Sequence, residues 1–286
     1  MHKHTKLLNL IIGFTKTQKN WPKLLDKFDV VFIDHSLKIT DNKKSVPDLF
    51  LMNKYSNTVL FCECKSGNNF TKDCVDQLNR YFAIKQKDFI HYIHTCDSEH
   101  LEFETFYATY TENSKLIKEL NLIKKVPIIL FDEDWIIKEN EFCINKHKHI
   151  LKSKFKIEGL PDLNYIPFFK EDELKDIVIP VLQKIVYLYT RKKEIHEIFS
   201  EELILKEIFG NLYSSLDSTA KLDLKNKVKS IIDTSNSKFK LKEKIVDIKS
   251  KKMYSTNTFQ SIQRLCDDIV KHYRDCKDQR QIYEYL

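Results

Sequence analysis

Two short segments of the chain carry side chains that could do chemistry together. They are Pro47-Asp48 and, after fourteen intervening residues, Glu63-Cys64-Lys65. The apolar runs 49–52 and 59–62 between them flank Asn and Ser residues that favour turns, which predicts a β-hairpin. If its turn is centred on Tyr55-Ser56, the aspartate falls directly opposite the glutamate.

The predicted hairpin brings two acids and an amine to one place. In a cross-strand pair, the Cβ atoms of Asp48 and Glu63 would lie about 4.5–5.5 Å apart. Carboxylates that close repel each other unless a cation lies between them. Lys65 is two residues after Glu63, so both share a strand face and Cys64 points away. We therefore expect a site for metal-assisted hydrolysis of a phosphodiester.

Each of these groups has a part in such a hydrolysis. Asp48 and Glu63 would hold Mg2+ or Mn2+, because hard cations prefer oxygen ligands. The cation polarises the phosphoryl oxygen and lowers the pKa of a water. Lys65 would orient or help deprotonate the attacking water and offset charge in the transition state. The backbone carbonyl of Cys64 is the expected further ligand.

A helix expected from about Thr71 adds a second pattern. It carries Gln77 and Tyr81, which are four residues apart and therefore share a helix face. With Pro47-Asp48 and Glu63-x-Lys65, this Gln-x-x-x-Tyr pair resembles the RecB-like branch of the PD-(D/E)xK nuclease superfamily. The resemblance implies a divalent metal and a role for Gln77 and Tyr81 in positioning the active site and the nucleic-acid strand. A surface hairpin with unrelated charges is the alternative.

The resemblance also implies a histidine or acid from an upstream helix or strand. Asp34 and His35, at the end of the apolar run 30–33, are the nearest candidates, ahead of Asp26 and Asp29. We choose Asp34 as the accessory metal ligand; the alternative is that it only terminates a strand. His91-x-x-His94-x-Cys96 and His147-x-His149 have some metal-ligand character. A zinc site needs four converging ligands, and neither group is followed by a second group of ligands at suitable spacing.

The order of the expected elements agrees with the resemblance, which covers roughly residues 1–135. The expected elements are a helix 6–26, strands 30–38, 47–52 and 59–65, the helix from residue 71 running beyond 85 toward 94, a strand 103–110, a helix 114–120 and a strand 126–131. This order predicts an α/β fold with a restriction-endonuclease-like core, a mixed central sheet flanked by helices. We assign this core to residues 1–160 and a mainly α-helical C-terminal domain to residues 161–286.

The C-terminal domain is expected to bind substrate or a partner. Its predicted helices are 171–191, 201–213, 222–232 and 258–273. Residues 239–248 alternate between apolar and basic side chains, which predicts a strand. Two short helices before a basic strand are compatible with a winged helix, in which the wing contacts phosphates. A helical bundle that mediates protein contacts or homo-oligomerisation is the preferred interpretation.

The excess of positive charge lies in the C-terminal quarter of the 286-residue chain. Residues 221–286 carry a net charge of +7, which equals the net charge of the whole chain. Basic character of this kind, beside a candidate phosphodiesterase site, indicates a polyanionic partner. A lysine-rich face that is merely solvated is the alternative.

Composition argues against several other classes of protein. Apolar residues make up 42% of the chain, enough for a folded core. No apolar run approaches the roughly 18–20 residues that span a bilayer, and segment 7–14 lacks the cleavage site of a signal peptide. Seven cysteines without paired spacing favour reduced thiols and a cytoplasmic location. With four glycines, the chain has no Gly-rich phosphate loop.

The sequence therefore predicts a cytoplasmic nuclease that uses Mg2+ or Mn2+ to hydrolyse DNA. Its expected catalytic residues are Asp48, Glu63, Lys65, Gln77 and Tyr81. Restriction, recombination and anti-phage defence are all compatible with this prediction. Two alternatives stay open: a non-catalytic nucleic-acid-binding or assembly subunit that retains the fold, and an RNase that uses the same site.

Overall fold

The computed structural model of the protein describes residues 1–17, 21–40, 43–53, 55–67, 71–84, 101–143, 153–191, 200–250 and 262–275. The chain forms two compact units. The sheet unit comprises Lys3–Ile166 together with Ser214–Asp217, and the helical unit comprises Met1–His2, Pro167–Tyr213 and Ser218–Leu286. The long N-terminal segment of the sheet unit ends at Ile166, whereas the sequence places the domain boundary at residue 160.

The sheet unit is built on a mixed seven-stranded sheet. Its described strands are β1 Asp29–Ile33, β2 Leu37–Thr40, β3 Lys43–Ser45, β4 Leu49–Asn53, β5 Thr58–Lys65, β6 Glu102–Tyr110, β7 Ile128–Phe131, β8 Trp135–Glu139 and β9 Lys154–Lys156. The sheet order is β1-β4-β5-β6-β7-β8-β9, and β2 and β3 form a separate hairpin. The pairs β5–β6 and β6–β7 are parallel, and the other pairs are antiparallel.

Three helices of the sheet unit are α1 Lys3–Phe14, α2 Lys72–Phe82 and α3 Ser114–Glu119. Helix α1 is buried on nearly every side and contacts β5 and β6. Helix α2 is amphipathic and contributes Cys74 and Leu78 to a core cluster with Tyr107 and Ile128. Strands β4 and β5 are buried along nearly their whole length, which explains their almost continuous apolar runs.

Two of the expected elements in the N-terminal part are shorter than predicted. Helix α1 ends at Phe14 rather than near residue 26, and Phe14 stacks on Trp21 with ring centroids 5.2 Å apart. The expected strand 30–38 is interrupted because Asp34 has a φ of +58°, in the left-handed region that ends an extended strand. It is therefore divided into β1 and β2.

Other expectations for the sheet unit are confirmed or extended. The hairpin, the parallel strand β6, helix α3 and strand β7 lie where the sequence predicts them, within two residues at each end. The sequence does not predict β3, β8 and β9, because β3 and β9 have only three residues each and β8 does not alternate between apolar and polar residues. Helix α2 is described to Phe82, and its expected continuation toward residue 94 lies outside the described residues.

The helical unit contains five helices among its described elements with defined bounds. They are α4 Leu174–Arg191, α5 Glu201–Phe209, α6 Leu212–Ser215, α7 Ser218–Phe239 and α8 Leu241–Ser250. The last two residues of α6 belong to the segment Ser214–Asp217 of the sheet unit. Residues 262–275 are also helical. No helix within the described residues is long and apolar enough to cross a membrane.

The predicted strand 239–248 is wrong, and with it the winged helix. These residues lie mostly in α8, which follows α7 after Lys240, a residue with a φ of +53°. Leu241 and Ile245 are fully buried and four residues apart, which is helical spacing. The alternation at the start of the segment is too short to distinguish the two periods.

Candidate active site

The β4–β5 hairpin places Asp48 beside the end of β5. Leu49 pairs with Cys62, so the same antiparallel register sets Asp48 opposite Glu63, as the sequence predicts. The turn is fixed by Asn53, whose Oδ1 atom accepts hydrogen bonds from the amides of Tyr55 and Ser56. The hairpin therefore determines which two acids meet.

Asp48 is held against the backbone of β5. Its Oδ2 atom accepts a hydrogen bond of 2.7 Å from the amide of Cys64. In the same register Pro47 lies opposite Cys64, and a proline has no amide hydrogen to give to the Cys64 carbonyl. The backbone pairing of the two strands therefore ends here, and the Cys64 amide donates to the Asp48 side chain instead of to a backbone carbonyl.

Lys65 and Glu63 interact directly on one face of β5. The Lys65 Nζ atom donates a hydrogen bond of 2.9 Å to the Oε2 atom of Glu63. The side chain of Glu63 is 1% exposed and that of Lys65 is 20% exposed, so the ammonium reaches solvent and the carboxylate does not. The Sγ atoms of Cys62 and Cys64 lie 3.9 Å apart on the other face, as expected.

Helix α2 brings Gln77 and Tyr81 to the same carboxylate. The Tyr81 hydroxyl donates a hydrogen bond to the Oε1 atom of Glu63, and the Gln77 Nε2 atom donates to the Tyr81 hydroxyl at 3.1 Å. The Tyr81 ring stacks on Phe61 of β5 with centroids 5.7 Å apart. The two residues therefore form a chain that holds one oxygen of Glu63 while Lys65 holds the other.

His4 completes the cluster, and the sequence did not indicate it. Its Nε2 atom lies 3.3 Å from the Oδ1 atom of Asp48. Helix α1 starts at Lys3, three residues before the expected start, so His4 is in its first turn. The resemblance called for an upstream histidine or acid, and a search of the first helical turn for such a residue would have found it.

Asp34 lies next to Asp48 through the backbone. Its amide donates a hydrogen bond of 3.0 Å to the Asp48 carbonyl, which continues the pairing of Ile33 with Leu49. Its side chain is buried. The proposed role of Asp34 as an accessory metal ligand stays a prediction. The histidines at 91, 94, 147 and 149 and Cys96 lie outside the described residues.

The electrostatics of the cluster shift the pKa values of the two acids in opposite directions. Burial, followed by the charge of Asp48, raises the pKa of Glu63 to about 7, although Lys65 and Tyr81 oppose the shift. Burial alone would raise the pKa of Asp48, but His4, Lys65 and the Cys64 amide together lower it below its usual value. Asp48 is therefore the charged acid of the pair, and Glu63 is partly protonated near neutral pH.

Lys65 and Tyr81 respond to the same charges. Burial would lower the pKa of Lys65, but the charges of Glu63 and Asp48 raise it above its usual value, so the amine is an ammonium ion at neutral pH. Burial and the charge of Glu63 raise the pKa of Tyr81, which keeps its hydroxyl protonated as a donor. Both groups therefore stabilise negative charge on Glu63.

The donor set is compatible with a small divalent cation. Asp48 and Glu63 supply carboxylate oxygens, and the Cys64 carbonyl stays the predicted further ligand. Among the described residues, no three His, Cys, Asp or Glu side chains form a ready cluster of ligands. Mg2+ commonly takes one or two carboxylates and keeps several waters, whereas a structural zinc site takes four protein ligands. The pair therefore suits Mg2+ or Mn2+.

Comparison with known proteins places the chain in one family. Residues 3–171 match the MJECL32 domain, so the chain belongs to the MJECL32 domain family. The matched region contains all the residues of the cluster, from His4 to Tyr81. No curated protein and no solved structure matches the chain.

Proposed function

We propose that the protein is a nuclease of the PD-(D/E)xK type that uses Mg2+ or Mn2+ to hydrolyse phosphodiester bonds of DNA. One observation carries the proposal. Asp48, Glu63 and Lys65 meet at the end of one hairpin, with the Lys65 ammonium 2.9 Å from Glu63. In the predicted Gln-x-x-x-Tyr pair, Tyr81 donates a hydrogen bond to that same glutamate and Gln77 donates one to Tyr81. A surface hairpin with unrelated charges would not bury Glu63 or connect it to α2.

The side chains divide the work of hydrolysis between them. Asp48 and Glu63 would hold the cation, which when bound supplies Lewis acidity toward the phosphate and makes a water more acidic. Lys65, an ammonium at the solvent-facing side of the pair, orients the attacking water and offsets the negative charge that develops in the transition state. Tyr81 and Gln77 keep the Glu63 carboxylate in one orientation, so this group does not have to reorient during the reaction.

DNA is the proposed substrate because of the charge distribution. The net charge of +7 carried by residues 221–286 is suited to a phosphate backbone. An RNase with the same site would use the same groups, so the nature of the sugar has to be tested directly.

The deciding experiment is a cleavage assay with the purified full-length protein. Plasmid, linear duplex, single-stranded DNA and RNA are each incubated with Mg2+, with Mn2+ and with EDTA. We expect metal-dependent cleavage of DNA that is lost in the Lys65→Ala variant and kept in Lys154→Ala. Lys154 is a matched control because it lies in the same unit, with its Nζ atom 4.0 Å from the centre of the Trp135 ring.

Other outcomes of this assay would replace the proposal. Cleavage of RNA alone would make the protein an RNase. Tight nucleic-acid binding without cleavage under any of these conditions would make it a binding or assembly subunit. Cleavage that persists in EDTA would contradict the metal-dependent mechanism.

A further inference from the structure

The backbone of Lys65 is held by a side chain of the neighbouring strand. Lys65 is the last residue of β5 and pairs with Thr109 of the parallel strand β6. The Thr109 Oγ1 atom donates a hydrogen bond of 2.5 Å to the Lys65 carbonyl. The chain leaves the sheet directly after this point, at Ser66 and Gly67. The hydroxyl therefore fixes the lysine where the strand pairing stops.

Asn113 fixes the direction of this hydrogen bond. Its Nδ2 atom donates to the Thr109 Oγ1 atom at 2.8 Å. A hydroxyl has a single hydrogen, so a Thr109 that accepts from Asn113 must direct its own hydrogen to Lys65. Both side chains have no solvent exposure, and hydrogen bonds in such surroundings are stronger than in water.

The orientation of the Asn113 amide has a cost. Within the described part of the chain, its Oδ1 atom is buried without a hydrogen-bond partner, and burying an unsatisfied polar atom is unfavourable. Turning the amide over would give this oxygen the Thr109 hydrogen and would release the Lys65 carbonyl. In this arrangement the Lys65 carbonyl receives the Thr109 hydrogen, and among the described residues the Asn113 Oδ1 atom receives none.

We propose that Thr109 and Asn113 are positioning residues for Lys65. The proposal rests on the proposed nuclease function, in which the Lys65 ammonium acts on the water and the phosphate. Neither residue touches the reacting groups; they act through the lysine backbone, which sets the direction of its side chain toward Glu63. A displacement of about 1 Å at a reacting group can cost about 100-fold in rate.

Three variants test the pair in the cleavage assay. Thr109→Val removes the hydroxyl at nearly constant shape, Asn113→Asp replaces the donor by an acceptor, and Thr109→Ser restores the hydroxyl. We expect the first two to lower kcat by about 10- to 100-fold with little change in KM, and Thr109→Ser to stay close to the wild type. A purely structural role would lower the melting temperature and leave kcat at 25 °C unchanged, which would overturn the proposal.

A second measurement does not depend on catalysis. The metal-free protein is treated with an amine-reactive acyl ester, and the labelling rate at each lysine is read by mass spectrometry. Thr109→Val should raise the rate several-fold at Lys65, because the ammonium leaves Glu63 more often. Labelling at Lys154 should not change, and Thr109→Ser should match the wild type.

The two measurements separate the two proposals. If the wild type cleaves nucleic acid and Thr109→Val retains its kcat, the positioning role is overturned while the nuclease function stands. If the wild type cleaves nothing, the nuclease function fails, and unchanged labelling of Lys65 in Thr109→Val overturns the positioning role as well. If the wild type cleaves nothing, faster labelling at Lys65 and unchanged labelling at Lys154 support the positioning role; if it cleaves, the role also requires the lower kcat of Thr109→Val.

Discussion

The carboxyl group of Glu63 is surrounded by groups with opposite effects on its charge. Burial and the neighbouring Asp48 carboxylate favour the protonated form, whereas Lys65 and Tyr81 favour the anion. A cation shared by the two acids would also favour the Glu63 anion, and it would remove the repulsion between Glu63 and Asp48. The closeness of the two carboxylates, which disfavours the charged Glu63 in the metal-free protein, therefore suits the pair to bind a cation.

Replacing Glu63 by Gln should stabilise the metal-free protein in a pH-dependent way. With a pKa of about 7 in the fold against 4.5 when unfolded, the wild type loses stability as pH rises from about 4.5 to 7, because the unfolded chain ionises first. We expect Glu63→Gln to be more stable than the wild type by about 1–3 kcal/mol at pH 8 and by little at pH 4.5. Urea unfolding in EDTA measures this, and a difference that does not vary with pH would contradict it.

Removal of either acid should abolish cleavage without unfolding the protein. Asp48→Ala removes a metal ligand together with the contacts of its carboxylate with the Cys64 amide and His4, so the fold should remain intact but should lose some stability at neutral pH. Cleavage assays and circular dichroism on Asp48→Ala and Glu63→Ala test both parts. Metal-dependent cleavage that survives in both variants would show that the site lies elsewhere.

Lys65 should matter for turnover far more than for binding. Because its proposed work is done in the transition state, Lys65→Ala should lower kcat by about 100-fold or more while the DNA dissociation constant changes little. Lys65→Arg should rescue poorly, since a broad guanidinium does not replace a compact ammonium beside Glu63. Single-turnover kinetics and a binding titration separate the two. Weakened binding with unchanged single-turnover cleavage would make Lys65 a phosphate contact.

At the scale of elements, strand β6 positions the groups that other elements carry. Its residues Tyr107 and Thr109 share one face because they are two apart. Thr109 holds β5 at Lys65, and the Tyr107 hydroxyl donates a hydrogen bond of 2.8 Å to the Cys74 carbonyl in α2. Strand β6 thus aligns both the strand with Lys65 and the helix with Tyr81, although it carries none of the expected catalytic residues.

Removing the Tyr107 hydroxyl should loosen α2. Tyr107→Phe keeps the buried ring and deletes one hydrogen bond, so the free energy of unfolding should fall by about 0.5–1.5 kcal/mol. We also expect faster amide hydrogen exchange in residues 72–82 and a reduced kcat, because Tyr81 holds Glu63 less firmly. Tyr55→Phe, at the 91%-exposed tip of the hairpin, is the control and should change none of these quantities. Unaltered exchange in α2 would argue against the alignment by β6.

At the scale of the whole molecule, the sheet unit includes residues from far beyond the family match. The segment Ser214–Asp217 pairs with the end of β1, where the Asp217 amide donates to the Ile33 carbonyl at 3.2 Å. The Asp217 carboxylate also lies 2.9 Å from the Nδ1 atom of His35. A chain shortened before residue 214 would therefore lose contacts of the sheet unit itself, so surface substitutions are the cleaner test of the C-terminal charges.

Neutralising exposed cations of the helical unit should weaken DNA binding and its dependence on salt. The variant replaces four exposed residues, Lys229, Lys244, Arg264 and Lys271, by Gln. Each phosphate contact that is lost should reduce the slope of log K against log salt by about 0.9. The control replaces four exposed lysines of the sheet unit, Lys115, Lys118, Lys124 and Lys125. If the C-terminal variant keeps the wild-type slope, these cations only solvate the surface.

Much of the candidate site followed from the sequence because its parts are local. The spacing between Asp48 and Glu63, together with one turn, fixes a strand register, and a register shifted by one residue would place the apolar side chains on the wrong face. Gln77 and Tyr81 share a face because of the helical period alone. The pairing, the shared face of Glu63 and Lys65 and the position of α2 could therefore be predicted without coordinates.

Only the tertiary structure brought His4, Thr109 and Asn113 to this site. Thr109 and Lys65 are 44 residues apart in the chain, and no local period relates them. Their contact exists because β6 lies parallel to β5, a pairing set by how both strands bury their apolar faces. The left-handed backbone of Asp34 and the return of Ser214–Asp217 to β1 were likewise decided by packing. Hydrophobic patterns specify which face of an element is buried; which distant residues then meet depends on how those faces pack together.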